Sequence, residues 1–183
     1  ISKAEIDLPD SVDIHDVAVY KKAAENQEIF LDNGVLIQDE KPCYYIYSLT
    51  WKGRTQTGLV CGSSVEDYKN DIIKKHEKTR KDKEDDRTRL IGTLNANTGP
   101  VFLTYRESQA IDALVNATLT SKPTADFTAP DGIAHRVWRI SDTSPLVEAF
   151  KNIPVSYVAD GHHRTASAVR VGRERRAANP NHQ

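Results

Sequence analysis

The chain has 183 residues, 38% of them hydrophobic and 28% charged, with 25 Lys and Arg against 26 Asp and Glu for a net charge of −1. No apolar run approaches the roughly 20 residues of a membrane span, and Ile1-Ser2-Lys3-Ala4-Glu5 has no apolar core of a signal peptide, so no membrane contact and a cytoplasmic location are expected. The near balance of charge argues against sequence-independent nucleic-acid binding, which needs clustered cations; the one basic stretch, Arg170 to Arg176, reads as a solvated helix face.

In chain order, the first fifteen residues read as irregular or extended. From Asp16, the apolar positions Val17, Tyr20, Ala24, Phe30 and Leu31 recur at helical spacing, with Asp16 as N-cap and Asn33-Gly34 as the stop. The aromatic-rich Cys43 to Thr50, a turn at Trp51-Lys52-Gly53-Arg54 and Thr55 to Cys61 form a hairpin. Cys43 and Cys61 then fall on neighbouring strands, where a buried, reduced pair is expected. Ser63 or Ser64 caps a helix that should run through Tyr68, Ile72 and Ile73 toward His76 and Glu77. The acidic cluster Glu84-Asp85-Asp86 suits the first turn of a following helix that ends near Asn95.

Thr98-Gly99-Pro100 breaks that helix before a short strand, Val101 to Tyr105, and a helix, Ser108 to Ala117. A second hairpin turns at Ala129-Pro130-Asp131-Gly132, with Ile133 to Ile140 as its return strand and Trp138 in the core. A short helix at Leu146 to Phe150, a strand at Val155 to Ala159 and a long helix at Gly161 to Ala178 complete the order. The mixture indicates an α+β fold, a mixed sheet with hairpins and packed helices, as one domain over 1–183. The absence of Met and the stop just after a long helix suggest part of a longer protein. His15, His135 and His182 stand alone and read as structural or surface residues.

The segment that draws attention is Tyr157-Val158-Ala159-Asp160-Gly161-His162-His163-Arg164-Thr165. An apolar strand ends at Asp-Gly, and a helix begins with two His, an Arg and a Thr in its first turn. Free amides and the positive end of a helix dipole make such a turn an anion site. Gly161 allows close approach of a ligand to the backbone. Arg164 adds a planar multi-donor cation and Thr165 a hydroxyl, while His162 and His163 supply further donors. Adjacent histidines leave a helix in different directions, so no metal site is assigned to them. The competing reading is an Asp160 that merely caps the helix, with the other side chains solvated.

Asp160-Gly161-His162-His163-Arg164, placed after a strand and before an alanine-rich helix, resembles the ParB/sulfiredoxin-type fold, especially its free-serine-kinase branch. Lys75 to Arg80, Lys83 to Arg87, Asn95 to Phe102 and Ala159 to Arg164 together look like the bacterial domain-of-unknown-function family 1015. The first resemblance implies a ParB-like core at 62–178 and a turn that cradles nucleotide phosphates, with Asp160, Gly161, His162, His163, Arg164 and Thr165 at the nucleotide. It also implies a general base upstream, for which Glu77 is the candidate by position, beside His76. Thr79, Arg80 and Arg87 are candidates for the rest of an anion pocket. One departure is that a helix rather than a strand is expected before Glu77.

The function implied is nucleotide-dependent phosphoryl transfer to a small hydroxyl metabolite, with ATP or ADP and Mg²⁺ as cofactors. Free serine is the first acceptor to test. The alternatives are a non-enzymatic nucleotide-binding regulatory module of ParB type and a sulfiredoxin-like activity. The latter needs a reactive Cys near the turn, which the distant Cys43 and Cys61 do not provide. Homo-oligomerisation is left open.

Overall fold

A computed structural model describes residues 1–181. The chain is α+β and folds into two compact units, one formed by Ile1–Gln38, Ser64–Thr104 and the segment from Val155, the other by Asp39–Ser63 and Tyr105–Pro154. The expected single domain over 1–183 comprises both units, and the span 62–178 contains parts of each.

In the first unit, a 3₁₀ turn at Ala4–Asp7 precedes α1, Val17–Asp32. Asp16 caps α1 as expected, its carboxylate accepting from the Ala18 amide at 2.8 Å. The buried face of α1, Val19, Tyr20 and Ala23, packs on Leu90 and Leu94 of α3 (Lys81–Leu94) and on Ala4. Asn95 stops α3 in the left-handed conformation, φ 53°. The long helix α6, His162–Ala178, packs on α3. There the fully buried Ser167 hydroxyl donates to the Glu84 carbonyl at 3.0 Å. A three-stranded sheet, order β3-β7-β4, is made by Ile73–Lys74, Ser156–Asp160 and Phe102–Tyr105.

The stretch before Glu77 corrects the sequence reading. Ser64 does cap a helix, accepting from the Glu66 amide at 3.2 Å, but α2 covers only Val65–Lys69. Asp71 turns into positive φ, 59°, and Ile73–Lys74 enter the sheet as β3, parallel to Ser156 and Tyr157 of β7. Burial of Ile73 and a hydrogen bond from the Ser156 amide to the Ile72 carbonyl at 3.0 Å reward the extended form. Helical spacing within a short window cannot register a partner strand so distant in sequence.

The second unit holds a four-stranded sheet, order β2-β1-β6-β5. β1 (Tyr44–Trp51) and β2 (Arg54–Val60) form the expected antiparallel hairpin. Lys52 (φ 49°) and Gly53 (φ 76°) both take positive φ at its tip, as the favoured two-residue hairpin turn requires. β6 (Ala134–Ile140) pairs with the other edge of β1, and β5 (Ala125–Thr128) with β6. The cross-strand pair Ile46 and Trp138 is buried, as are Ile111 of α4 (Gln109–Leu119) and Leu146 of α5 (Ser144–Phe150). Trp138 satisfies its indole N–H on the Ser121 carbonyl at 3.0 Å. Cys43 and Cys61 are free but not the buried pair expected: they lie just outside the ends of β1 and β2, Cys43 partly covered and Cys61 exposed.

Candidate functional site

β3 and β7 are parallel, so both strands deliver their C-terminal ends to the same edge of the sheet. The loop Lys75 to Arg80 leaves β3 at that edge, and the Asp160-Gly161 turn leaves β7 there. The strand that was read as a helix is therefore what brings His76 and Glu77 to the first turn of α6.

At the end of β7 the fully buried Val158 anchors the strand, and Gly161 turns the chain with φ 93°, a conformation open to glycine and strained for other residues. No side chain caps α6, so Asp160 is not the simple cap of the competing reading. Its Oδ2 instead accepts from Arg164 Nη2 at 2.6 Å, one turn on. A Cβ at Gly161 would lie 2.9 Å from Arg164 Nη2, and one at Gly99 would lie 2.9 Å from Arg164 Cδ. Two glycines from separate segments thus leave a slot in which the Arg164 side chain lies against backbone. Within it, the buried Nε has no hydrogen-bond partner among the described residues. The outer end of the pair faces solvent, with side-chain exposures of 38% for Arg164 and 73% for Asp160. A pair so exposed is worth on the order of 0–1 kcal/mol.

His162 is buried, and its Nδ1 lies 3.5 Å from Glu77 Oε2. His76 Nε2 is 3.9 Å from the other Glu77 oxygen, and the His76 and His162 rings meet edge to face with centroids 4.3 Å apart. One ligand atom from each of His76, Glu77 and His162 falls within 4.8 Å of the others. His162 Nε2 is buried with no partner among the described residues. Such an orphan is costly, and it is the ring nitrogen other than the one that faces Glu77.

His163 points elsewhere. Its Nε2 accepts from the Arg80 amide at 3.1 Å, which leaves the proton of the neutral ring on Nδ1 as its remaining donor. Thr165 is used inside the turn: its hydroxyl donates to the Gly161 carbonyl at 3.0 Å, and the residue is buried. Thr79 donates to Glu84 at 2.9 Å. The Arg80 guanidinium reaches Asp82 at 2.7 Å, and Arg87 lies 3.8 Å from its neighbour Asp86. The site thus gathers His76, Glu77, His162, the Arg80 amide, His163, Asp160, Gly161 and Arg164. The side chains of Thr79, Arg80 and Arg87 instead face acids of α3.

Three arginines of the basic stretch of α6 are engaged within the unit. Arg170 bonds Asp85 at 2.5 Å and Glu174 at 3.1 Å, Arg175 reaches Asn95, and Arg176 reaches Glu66 at 2.8 Å. Lys81 and Arg170, both hydrogen-bonded to Asp85, hold its carboxyl below the ordinary carboxylate range. His182 lies outside the described residues.

Two features of the site escaped the sequence reading. In the sequence Gly99 reads only as a helix breaker, and nothing local signals that a distant Arg lies on it. The convergence of His76 and Glu77 with His162 needed the parallel pairing of β3. No helix among the described residues is long and apolar enough to cross a membrane. No curated protein and no solved structure matches the chain. The model of a family described as "protein of unknown function (DUF1015)" matches residues 1–183, and the chain belongs to that family.

Proposed function

We propose that the β7–α6 turn binds the phosphates of ATP or ADP and that Glu77 deprotonates the hydroxyl of a small metabolite for phosphoryl transfer. The observation that carries this reading is the approach of the Glu77 carboxylate to 3.5 Å from His162, in the helix turn that also bears Arg164. A carboxylate beside a helix N-terminus and a guanidinium supplies both needs of the reaction, a proton acceptor and neutralisation of phosphate charge. A strand before Glu77 also fits the ParB/sulfiredoxin-like arrangement better than the expected helix did.

In the step, the acceptor O–H bond breaks and its proton passes to Glu77 as the oxygen forms a bond to the terminal phosphorus. The bond from that phosphorus to the bridging oxygen breaks, and the shortened nucleotide leaves with the electron pair. The amides that open α6, with Arg164 released from Asp160, hold the phosphate oxygens. His163 has one donor left, on Nδ1. Asp160, a solvent-facing carboxylate at a phosphate site, suits a hard cation held jointly with phosphate oxygens, which is how Mg²⁺ is commonly bound. Bound there, Mg²⁺ would supply charge neutralisation. Free serine remains the first acceptor to test.

The test is calorimetric titration of the full-length protein with ATP, ADP and CTP, followed by a search for phosphorylated product across amino acids and hydroxy acids. The expected result is binding lost in Arg164→Ala, and turnover lost with binding kept in Glu77→Gln. Nucleotide binding without turnover on any acceptor would leave the regulatory-module reading in its place. Absence of nucleotide binding would end both.

A further inference from the structure

We infer that His76, Glu77 and His162 form a binding site for one divalent transition-metal ion of the Zn²⁺ or Mn²⁺ class. Two imidazoles and a carboxylate are the protein ligands of open, catalytic-type sites that leave further positions for water or substrate. One ligand atom from each residue lies within 4.8 Å of the others. The arrangement is also anchored: His162 is 6% exposed and turns Nδ1 toward Glu77, while His76 and Glu77 each keep 60% of their side-chain surface in solvent. A buried ligand with two solvent-facing ones is a site that can take an ion from solution and close on it.

The geometry states what closing requires. Bonds of about 2.1 Å at a tetrahedral angle put ligand atoms roughly 3.4 Å apart, against 3.5 Å from His162 Nδ1 to Glu77 Oε2 and 3.9 Å from His76 Nε2 to the other carboxylate oxygen, Oε1. Two imidazoles on one ion stand with centroids about 5 Å apart at those bond lengths, and here the distance is 4.3 Å. The exposed His76 ring must therefore swing outward by roughly an ångström, while His162 stays.

The nitrogen-rich set sets this ion apart from the Mg²⁺ of the phosphoryl-transfer reading, since Mg²⁺ demands oxygen ligands. The inference goes beyond that reading and does not rest on it. If both hold, one Glu77 oxygen would hold the ion and the other would take the proton of an acceptor hydroxyl whose acidity the ion raises.

The experiment is titration of the full-length, chelator-treated protein with Zn²⁺ alone, without nucleotide, followed by calorimetry, and with Co²⁺ followed by its visible absorption. The expected result is one equivalent bound, weakened roughly tenfold or more in His76→Ala and in Glu77→Gln, unchanged in His15→Ala and unaffected by excess Mg²⁺. The two site variants alter exposed side chains, so circular dichroism should report an intact fold. Zn²⁺ binding weaker than millimolar, or binding that both variants leave unchanged, would overturn the inference. Nucleotide titration of the metal-free protein separates the outcomes: loss of the metal site leaves nucleotide binding at Arg164 standing, and absent nucleotide binding leaves the metal result standing.

Discussion

The unit formed by Asp39–Ser63 and Tyr105–Pro154 and the unit that carries the candidate site are built by opposite means. The first is a sheet of antiparallel pairs, two of them hairpins closed by positive-φ turns at Lys52-Gly53 and at Gly132. Its polar side chains do local work, as Ser48 does with Thr57 at 2.7 Å on the partner strand. The other unit joins β3 to β7 in parallel and packs α6 on α3 through a serine hydroxyl, Ser167 to Glu84. Parallel pairing brings distant loops to one edge of a sheet, and His162 and Arg164 at that edge each carry a buried polar atom without a partner among the described residues. Local pairing makes a frame, and long-range pairing makes a place where chemistry can be assembled.

The largest expected effect tests whether the two frames stand on their own cores. Ile46→Ala, at a fully buried position, should destabilise the second unit by about 2–5 kcal/mol. In hydrogen exchange it should lower protection in β1 and β6 before β7 and α6, and Val158→Ala should do the reverse. Equal loss everywhere in both variants would show one cooperative core and break the comparison. Next in size, Gly161→Ala combines a positive φ with a Cβ pressed to 2.9 Å from the Arg164 guanidinium. It should cost about 1–3 kcal/mol in denaturant melts and weaken any anion bound at the turn. Gly58→Ala, with open space around its Cβ, is the matching control in the second unit.

A smaller effect is a pH dependence. Tyr20 donates to Asp86 at 2.7 Å, and burial, then that carboxylate, push its phenol from 10.0 up to about 12. The unfolded chain loses this proton first as pH rises. The contribution to stability is therefore intact below about pH 10 and fades between 10 and 12; Tyr20→Phe should flatten that limb of the stability profile. Smallest of all, Arg176→Ala removes an exposed ion pair to Glu66 and should change stability by about 0–1 kcal/mol. A larger change would mean that the C-terminal half of α6 holds its unit together more than its exposure implies.

Most element boundaries were legible because their signals are local. Asp16 capping α1, Asn95 ending α3 and the hairpin tips all depend on residues within a few positions. The same locality failed at Ile72 and Ile73, whose helical spacing continued that of Tyr68 while their extended backbone served a strand far along the chain. At the site, the Asp-Gly-His-His-Arg run marked the α6 turn at once, but His162, His163 and Thr165 there face different partners, which one linear motif does not separate.

By itself the sequence determined the α+β class, the two hairpins and the long last helix that opens at the Asp160-Gly161 turn, because turns, caps and periodicity are written in neighbouring residues. Only the tertiary structure decided that Glu77 meets His162, that Gly99 makes room for Arg164 and that His76 stands beside them. Those contacts follow from the parallel alignment of β3 with β7, a pairing set by burial and hydrogen bonding between segments that share no local signal.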